Sequence, residues 1–203
     1  IASGNQSTAM GAYTTASGGI STAIGYYAVA PSYLETAIGR FNTDYSPGGP
    51  YSWVATDRLF VIGNGSILAK SNAMTVLKSG RIGLQSVTNP TYALELPNDA
   101  TAGIGQARAN AWVTYSDGRL KSFSKPLEYG INEIMRMRPK TYFHHNSVSE
   151  NKKIKIGNTG AEDIGLIAQE VYEVIPEAVV KPQDDNNDLW GMSYDKLVPV
   201  LIK

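Results

Sequence analysis

Two side chains near the middle of the chain have the residue types and the spacing needed for self-directed acyl transfer. Ser116 carries a hydroxyl and Lys121 an amine, five residues apart in the stretch YSDGRLK at 115–121. A serine hydroxyl becomes a good nucleophile when a base takes its proton. A lysine is such a base when burial or a nearby cation favours its neutral form. The pair is therefore a candidate nucleophile and general base.

The spacing by itself is a weak indication. Ser147 and Lys152 have the same separation within a polar stretch, where no catalytic role is expected. His144 and His145 adjoin that stretch and are predicted to be solvated, so no histidine-based relay is expected. The elements around residues 115–121 must decide whether the pair forms a site.

The composition of the chain changes at this stretch. The residues before it are rich in small side chains and poor in charge, whereas those after it have helical periodicity and ordinary charge density. We predict three parts: repeats at 1–42, a β-rich stalk segment at 43–115 and an α+β domain at 116–203. The predicted fold class is mainly β with this C-terminal α+β domain.

The charge balance and the absence of cysteine exclude several classes of function. Eighteen basic residues cancel eighteen acidic ones, so no nucleic-acid or anionic-membrane partner is expected. No apolar run approaches the roughly 20 residues that span a bilayer, and no signal-peptide pattern opens the chain. Without cysteine there are neither disulfides nor thiolate zinc sites, and we expect no metal or cofactor. The abrupt ends at Ile1 and Lys203 are typical of a fragment.

The beginning of the chain contains a repeat with a period of 14 residues. Its motif, Ala-Ser-Gly followed by Ser-Thr-Ala-Met/Ile-Gly, starts at residues 2 and 16 and returns in degenerate form at residue 30. An aromatic residue keeps the same register at Tyr13, Tyr27 and Phe41. Self-similarity at a fixed period indicates stacked units, and this period suits two short strands and two glycine turns per coil.

Such a coil has a thin core. Its inward positions would be the alanines of the three copies, with Met or Ile as the only bulky side chains: Ala9, Ala23, Ala37, Met10, Ile24 and Ile38. Burial of this size does not offset the roughly 1–2 kcal/mol per residue of backbone ordering. We therefore predict that several chains wrap their rolls around a shared axis. A disordered linker is the alternative, but a linker has no reason to keep this register three times.

The repeat resembles the head repeat of trimeric autotransporter adhesins of the YadA type. The resemblance rests on the two motifs quoted above and covers residues 2–41 alone. It implies a left-handed parallel β-roll built as a trimer. Similar repeats occur in phage and bacterial fibre proteins, so the resemblance implies an architecture and not a particular receptor.

Short β-like runs fill the middle of the chain. They lie at 59–62, 74–77, 92–96 and 111–115, and Asn64-Gly65 after the first is typical of a hairpin turn. The last run would supply an extended strand beside the Ser116 hydroxyl.

The same region is rich in aromatic residues, notably Tyr33, Tyr45, Tyr51 and Trp53. Such side chains could stack on a cell-surface sugar. Packing across a subunit interface is the favoured interpretation, because aromatic residues are enriched in such contacts.

The C-terminal part alternates predicted helices and strands. Helices are predicted at 126–138, at 169–175 and after Asp195 as N-cap, and strands at 141–144, 152–156, 164–168, 178–180 and 190–194. A polar loop is predicted from residue 145 through residue 151, and a turn at 158–160. The acidic run at 184–188 lacks the EF-hand spacing of glycine and glutamate, so we predict a hairpin loop and not a calcium site. The apolar residues Leu197, Val198, Leu201 and Ile202 predict the start of a trimeric coiled coil.

Several separated motifs in this part resemble one family. These motifs are SDGRLK at 116–121, KPL at 125–127, IGLIAQEV at 164–171 and YDKLVPVLI at 194–202. They look like the C-terminal intramolecular chaperone family of peptidase S74 type, found on phage endosialidase tailspikes, on tail fibres and in the myelin regulatory factor. The motifs match in order and cover nearly all of residues 116–203.

The resemblance implies a role for each residue of the first motif. Ser116 would be the nucleophile and first residue of the released piece, Lys121 the general base, and Tyr115 the residue whose carbonyl is attacked. Asp117 and Arg119 would position the pair. In that family the domain trimerises, helps the preceding β-structure to fold and then severs itself.

The resulting prediction is a homotrimeric phage fibre or tailspike end-piece, or another extracellular or cell-surface fibre. Its C-terminal chaperone would cut once, in cis, between Tyr115 and Ser116. One alternative is a non-cleaving trimeric adhesin or receptor-binding tip with a permanent C-terminal cap, which binds a surface glycan or receptor. Another is a trimerisation device that releases a different N-terminal domain, and the fibre-like repeat argues against that.

Overall fold

The computed structural model describes residues 1–101, 103–150 and 153–203. They form two compact units, one over residues 1–98 and one over residues 107–203, and the short segment between these ranges is divided between them. Strands dominate, with a β-solenoid in the first unit and short helices in the second. Over the described ranges no helix is long and apolar enough to cross a membrane.

The first unit is built around one seven-stranded sheet. Its strands are β1 (Thr8–Ala12), β3 (Thr22–Tyr26), β5 (Thr36–Arg40), β6 (Arg58–Asn64), β7 (Asn72–Leu77), β8 (Ile82–Leu84) and β9 (Leu94–Glu95). The order is β1-β3-β5-β6-β7-β8-β9, parallel from β1 to β6, antiparallel from β6 to β8 and parallel again between β8 and β9. A separate parallel pair consists of β2 (Thr15–Ala16) and β4 (Val29–Ala30).

The register confirms the 14-residue coil and excludes the disordered linker. Thr8 pairs with Thr22 and Thr22 with Thr36, so equivalent residues of successive repeats lie side by side. Ala23 and Ala37 are completely buried inside the coil, as predicted. Met10 and its counterparts occupy the opposite face of the sheet, where Met10 is 59% exposed, so they do not add bulk to the coil interior.

Two turns of the coil begin at glycine, because the Ser7 and Ser21 N–H groups donate to the Gly4 and Gly18 carbonyls, but the residues with left-handed backbone in the turns are not glycines. Positive φ angles recur at every seventh residue on non-glycine side chains: Gln6, Tyr13, Ile20, Tyr27, Leu34 and Phe41. Three of these residues form an aromatic ladder, with ring centroids 4.6 Å apart for Tyr13–Tyr27 and 4.8 Å for Tyr27–Phe41. The positive φ angle is unfavourable for these L-residues, and the stacking of their aromatic rings between adjacent coils helps to offset that cost.

Glycine is needed where neighbouring coils approach each other. A Cβ atom on Gly25 would lie 1.9 Å from the carbonyl oxygen of Gly39, and Gly25 also has a φ of +132°. Both conditions favour glycine. The glycines of the repeat thus also set the distance between neighbouring coils.

The predicted middle strands correspond to β6, β7 and β9, while β8 was not predicted. Asn64 ends β6, and the connection to β7 runs through residues 65–71, so the expected two-residue turn at Asn64-Gly65 is wrong. The expected strand at 111–115 is also wrong, because these residues have no regular secondary structure.

The second unit contains three short helices and two hairpins in its described part. Its helices are α1 (Ile131–Arg136), α2 (Ala168–Tyr172) and α3 (Val198–Ile202), and its strands are β10 (Lys140–Glu150), β11 (Lys153–Gly165), β12 (Val179–Val180) and β13 (Gly191–Met192). Single 3-10 turns lie at Gly118–Leu120, Pro176–Ala178 and Tyr194–Leu197. A small core joins α2, α3 and the turns between them: Val171, Ile175, Ala178, Leu197 and Val200.

The first predicted helix is much shorter than expected. Gly130 has an extended backbone and its N–H donates to Glu133 Oε2 at 2.8 Å, so the helix begins only after this residue. Met137 is again extended at the other end. The apolar residues at helical spacing begin at Leu127, four residues before the helix starts, so the spacing alone overestimated the length of the helix.

The hairpin of β10 and β11 replaces several shorter predicted elements. Residues predicted as a polar loop after His144 belong to β10, which has a bulge between His145 and Ser147, and the predicted turn at 158–160 belongs to β11. Asn151 and Lys152, at the end of that loop and the start of the next predicted strand, lie outside the described residues. Ile164, expected in a buried strand at 164–168, is exposed, and β11 ends at Gly165.

The last elements agree better with the sequence. Residues 184–188 lie in the connection between the antiparallel strands β12 and β13, as predicted for a hairpin loop. Asp195 lies inside the 3-10 turn Tyr194–Leu197, whose N-cap is Ser193, so the expected cap is wrong. On α3, Val200 is buried in the small core of this unit, whereas Leu201 and Ile202 are exposed.

Candidate functional site

A single 3-10 turn brings Ser116 and Lys121 together. Asp117 is its N-cap, and the Asp117 carboxylate accepts from the Arg119 N–H at 2.8 Å. The Lys121 N–H donates to the Gly118 carbonyl at 3.1 Å and closes the turn. An aspartate cap followed by a glycine is a favourable local signal for such a turn, so this geometry is set within the motif itself.

The turn places the two reactive groups in direct contact. Lys121 Nζ lies 2.7 Å from Ser116 Oγ. Nucleophile and base within about 2.6–3.2 Å of each other is the arrangement required for proton abstraction. A neutral lysine in this position would take the hydroxyl proton, whereas an ammonium group only donates to the hydroxyl oxygen.

Asp117 and Arg119 form a second pair beside the first. Arg119 Nη2 lies 2.7 Å from Asp117 Oδ2, and Arg119 Nε donates to both carboxylate oxygens at 3.1 Å. This contact lowers the pKa of the Asp117 carboxyl and raises the pKa of the Arg119 guanidinium. The aspartate is thereby engaged with arginine and with the turn, and Lys121 contacts the serine.

All of these side chains lie at the surface of the second unit. Tyr115 is 94% exposed, and residues 115–123 are exposed throughout. Water is therefore free to solvate the lysine, although a general-base lysine needs a drier environment. The structure brings together the four predicted residues Ser116, Asp117, Arg119 and Lys121, but the single chain does not bury them.

A second serine–lysine contact was not predicted from the sequence. In the first unit, Lys78 Nζ lies 2.6 Å from Ser32 Oγ and 3.9 Å from Asp57 Oδ2. All three side chains are buried. Burial lowers the pKa of the Lys78 amine. No local signal links residues 46 positions apart in the chain, so only the folded structure reveals this cluster.

The aromatic residues of the middle segment separate into two groups. Tyr33 and Tyr45 are half-buried, and the Arg58 guanidinium lies 4.1 Å from the ring centroid of Tyr45. Tyr51 and Trp53 are 65% and 52% exposed. The exposed pair is therefore available for contacts outside the chain, whereas Tyr45 contacts Arg58 within it.

No cluster of three metal-ligating side chains occurs among the residues that the structure describes. In the acidic run, Asp184 accepts instead from the Asn186 N–H at 2.9 Å, and this hydrogen bond lowers the pKa of the Asp184 carboxyl. The interactions of this loop are those of a self-capped turn.

Part of the second unit matches a known family. Residues 116–180 match the family model described as chaperone of endosialidase, of the Peptidase_S74 type. The match begins at Ser116, the residue predicted as nucleophile from the sequence motifs.

About half of the chain is similar to proteins of phage fibres. It is 32% identical over 117 residues to long tail fiber protein Gp37 of Enterobacteria phage M1, covering 57% of this chain and 44% of that protein. It is 35% identical over 89 residues to long tail fiber protein Gp37 of Enterobacteria phage Ox2, covering 43% of this chain and 33% of that protein. The chain thus spans less than half the length of these curated relatives. No solved structure matches the chain.

Proposed function

We propose that this chain is part of a homotrimeric phage tail fibre whose C-terminal domain assists folding and then releases itself by cutting between Tyr115 and Ser116. The observation that carries the proposal is the 2.7 Å contact between Lys121 and Ser116, at the first residue of the chaperone-of-endosialidase match. The similarity to long tail fiber proteins supports the fibre part of the proposal.

The proposed reaction needs only this chain and water. Lys121 takes the hydroxyl proton as Ser116 Oγ attacks the carbonyl carbon of Tyr115. The C–N bond breaks, the proton passes to the Ser116 nitrogen, and an ester joins Tyr115 to Ser116 Oγ. Water then hydrolyses the ester, leaving a carboxylate on Tyr115 and a free amine and hydroxyl on Ser116. Asp117 and Arg119 hold the turn in which this geometry forms.

The exposed dyad supports a cut that depends on assembly. A lysine base and a developing oxyanion both require a water-poor surrounding. Residues 115–123 are exposed in the single chain, so the covering groups must come from other copies. Cleavage would then follow trimerisation. This order suits a chaperone domain, because the domain must stay attached until the fibre has folded.

We call the first unit the fibre unit. One face of its seven-stranded sheet supports association with other copies. Six apolar side chains stand in register across neighbouring strands on the face opposite the buried alanines: Met10, Ile24, Ile38, Ile62, Met74 and Leu84. At about 4.8 Å per strand this ladder is about 24 Å long. An identical ladder has the same spacing, so three copies around a common axis would cover it.

The second unit also has more exposed apolar surface than its small core explains. Val148, Ile156 and Ile164 on the long hairpin and Leu201 and Ile202 on α3 are exposed. A two-stranded hairpin is marginal by itself in water. We therefore assign these side chains to contacts with other copies or with the fibre while it folds.

The mass of the purified chain tests the cut. The parent should give a fragment that begins at Ser116, while Ser116→Ala and Lys121→Ala should remain intact. Ser122→Ala and Lys125→Ala are matched controls, because both residues lie exposed in the same segment and should leave cleavage unchanged. Fragmentation of both dyad variants at the parental bond would sink the assignment.

The second candidate is a receptor-binding tip whose cap stays attached. The exposure of Tyr51 and Trp53 favours it, since exposed aromatic rings stack on sugar rings. A parent chain that stays full-length and trimeric on prolonged incubation would support it. Glycan binding that Trp53→Ala removes and Trp112→Ala retains would place the receptor site in the fibre unit.

A further inference from the structure

The third coil has a glutamate where the first two coils have a serine. Ser7 and Ser21 occupy equivalent positions, and each donates to a glycine carbonyl of its own coil at 2.8 Å. Glu35 stands at the third equivalent position and is completely buried. Its Oε2 accepts from the Ser32 N–H and from the Tyr45 hydroxyl, both at 3.0 Å. Among the described residues, its Oε1 is buried with no hydrogen-bond partner.

An insertion follows this coil. Thr22 pairs with Thr36, 14 positions on, but Thr36 pairs with Phe60, 24 positions on, so the next coil contains ten additional residues. We call residues 43–57, the stretch of fifteen residues that contains them, the insertion. Tyr45 connects it to Glu35, and the Gly48 and Gly49 N–H groups donate to the Asp57 carboxylate at 2.8 and 2.9 Å.

The charged groups around Glu35 are engaged elsewhere. Arg58 donates to the Thr43 carbonyl at 2.6 Å and to the Thr43 hydroxyl at 2.7 Å. Lys78 contacts Ser32 and Asp57. Asp44, which also acts on Arg58, forms an exposed pair with Lys70. No hydrogen bond from a cation to Glu35 is present in the described part of the chain.

The carboxyl group of Glu35 is therefore poorly suited to carry a charge. A buried carboxylate needs several donors or a cation to offset its lost hydration. Here desolvation is the largest effect and raises the pKa of Glu35 to about 7, although Ser32, Arg58, Tyr45 and Lys78 oppose it.

We propose that Glu35 is a pH-dependent switch, neutral while the insertion is docked on the third coil and ionised when the insertion opens. The proton is taken from bulk water on docking and returned to it on opening. Because the insertion carries the exposed Tyr51 and Trp53, the switch controls how firmly these rings are held. This inference concerns the fibre unit and is independent of the cut at Ser116.

The direction of the pH dependence follows from the raised pKa. A carboxyl whose pKa is higher in the closed form binds its proton more tightly there, so closing is most favourable below the ordinary value near 4.5. The stabilisation declines as the pH rises from about 4.5 to about 7 and is constant above that. A difference of this size corresponds to a change of about 300-fold in the opening equilibrium.

Hydrogen–deuterium exchange on the full chain tests the switch, with Ser116→Ala as the common background to prevent cleavage. After correction for intrinsic exchange rates, protection of residues 43–57 should fall at least tenfold between pH 5 and pH 8. Glu35→Gln should remove this dependence, because the amide is a neutral isostere of the acid. Glu95→Gln, a change of the other glutamate in the fibre unit, should retain it.

A direct titration covers the case in which Glu35→Gln does not fold. The carbon chemical shift of the Glu35 carboxyl in the parent chain should change with a midpoint above pH 6. A midpoint near 4.5, or equal pH dependence of protection in the parent and in Glu35→Gln, would overturn the proposal.

Discussion

The two serine–lysine contacts of this protein have nearly the same length and opposite surroundings. Lys121 and Ser116 are 2.7 Å apart, five residues apart in sequence and exposed, whereas Lys78 and Ser32 are 2.6 Å apart, 46 residues apart and buried. The first pair adjoins an accessible peptide bond. The second has Asp57 as an additional partner and is covered by the coil. A short distance between serine and lysine occurs both in a buried structural cluster and at an exposed surface turn, so this distance by itself does not identify a catalytic dyad.

The largest expected effect distinguishes a base from a mere charge at position 121. Lys121→Arg keeps a cation beside Ser116 but supplies a group that does not lose its proton in proteins. General-base catalysis contributes about 100- to 10,000-fold, so the rate of fragment formation should fall by at least about 100-fold. The time course of fragment formation by mass spectrometry measures it. Parental cleavage by the arginine variant would mean that Lys121 acts only through charge.

The next effect concerns the buried lysine. Lys78→Met should lower the free energy of unfolding of the fibre unit by about 3–5 kcal/mol, because it leaves Asp57 buried without its cation. Lys70→Met is the matched control, since Lys70 pairs with Asp44 at the surface and should cost at most about 1 kcal/mol. Urea unfolding followed by circular dichroism compares them. Equal losses of unfolding free energy in the two variants would show that the burial of Lys78 does not make its ion pair more important for stability than the exposed pair of Lys70.

The smallest effect compares the two serines. Ser32→Ala removes a hydroxyl that accepts from Lys78 and donates to Asp57, so the free energy of unfolding should fall by about 1–3 kcal/mol. Ser116→Ala should change it by less than about 0.5 kcal/mol while it abolishes cleavage, because its side chain is exposed. The same unfolding measurement serves for both. A large loss of stability in Ser116→Ala would assign that serine a structural role as well.

Regular and local features of this protein were predictable from sequence. The 14-residue period gave the coil and the inward alanines, since a repeated unit must stack on copies of itself. The turn at 118–120 lies within one contiguous motif and is closed by its own aspartate cap. The resemblance of several ordered motifs to the chaperone family agreed with the match over residues 116–180.

Other features were missed where long-range pairing prevailed over local pattern. The predicted loop and turn around residues 146–160 became parts of the two strands of one hairpin, because residues on either side of the bulge at residue 146 pair with the other strand. The glycines at 11, 25 and 39 lie inside strands, where the distance between coils requires them, and this role was not predicted. The predicted strand at 111–115 has an apolar composition but no strand partner in the described structure, and an unpaired run does not remain a strand.

The sequence by itself determined the 14-residue repeat and the single motif that brings Ser116, Asp117, Arg119 and Lys121 close together, since each is written in contiguous residues. It did not determine where the two units divide, which is between residues 98 and 107 and not at residue 116. Only the tertiary structure decided that Met10 and its counterparts face outward, that Lys78 meets Ser32 and Asp57, and that Glu35 is buried beside an insertion. These facts depend on register and on contacts between distant segments. Burial sets the energy of a charge, and burial is a property of the folded chain.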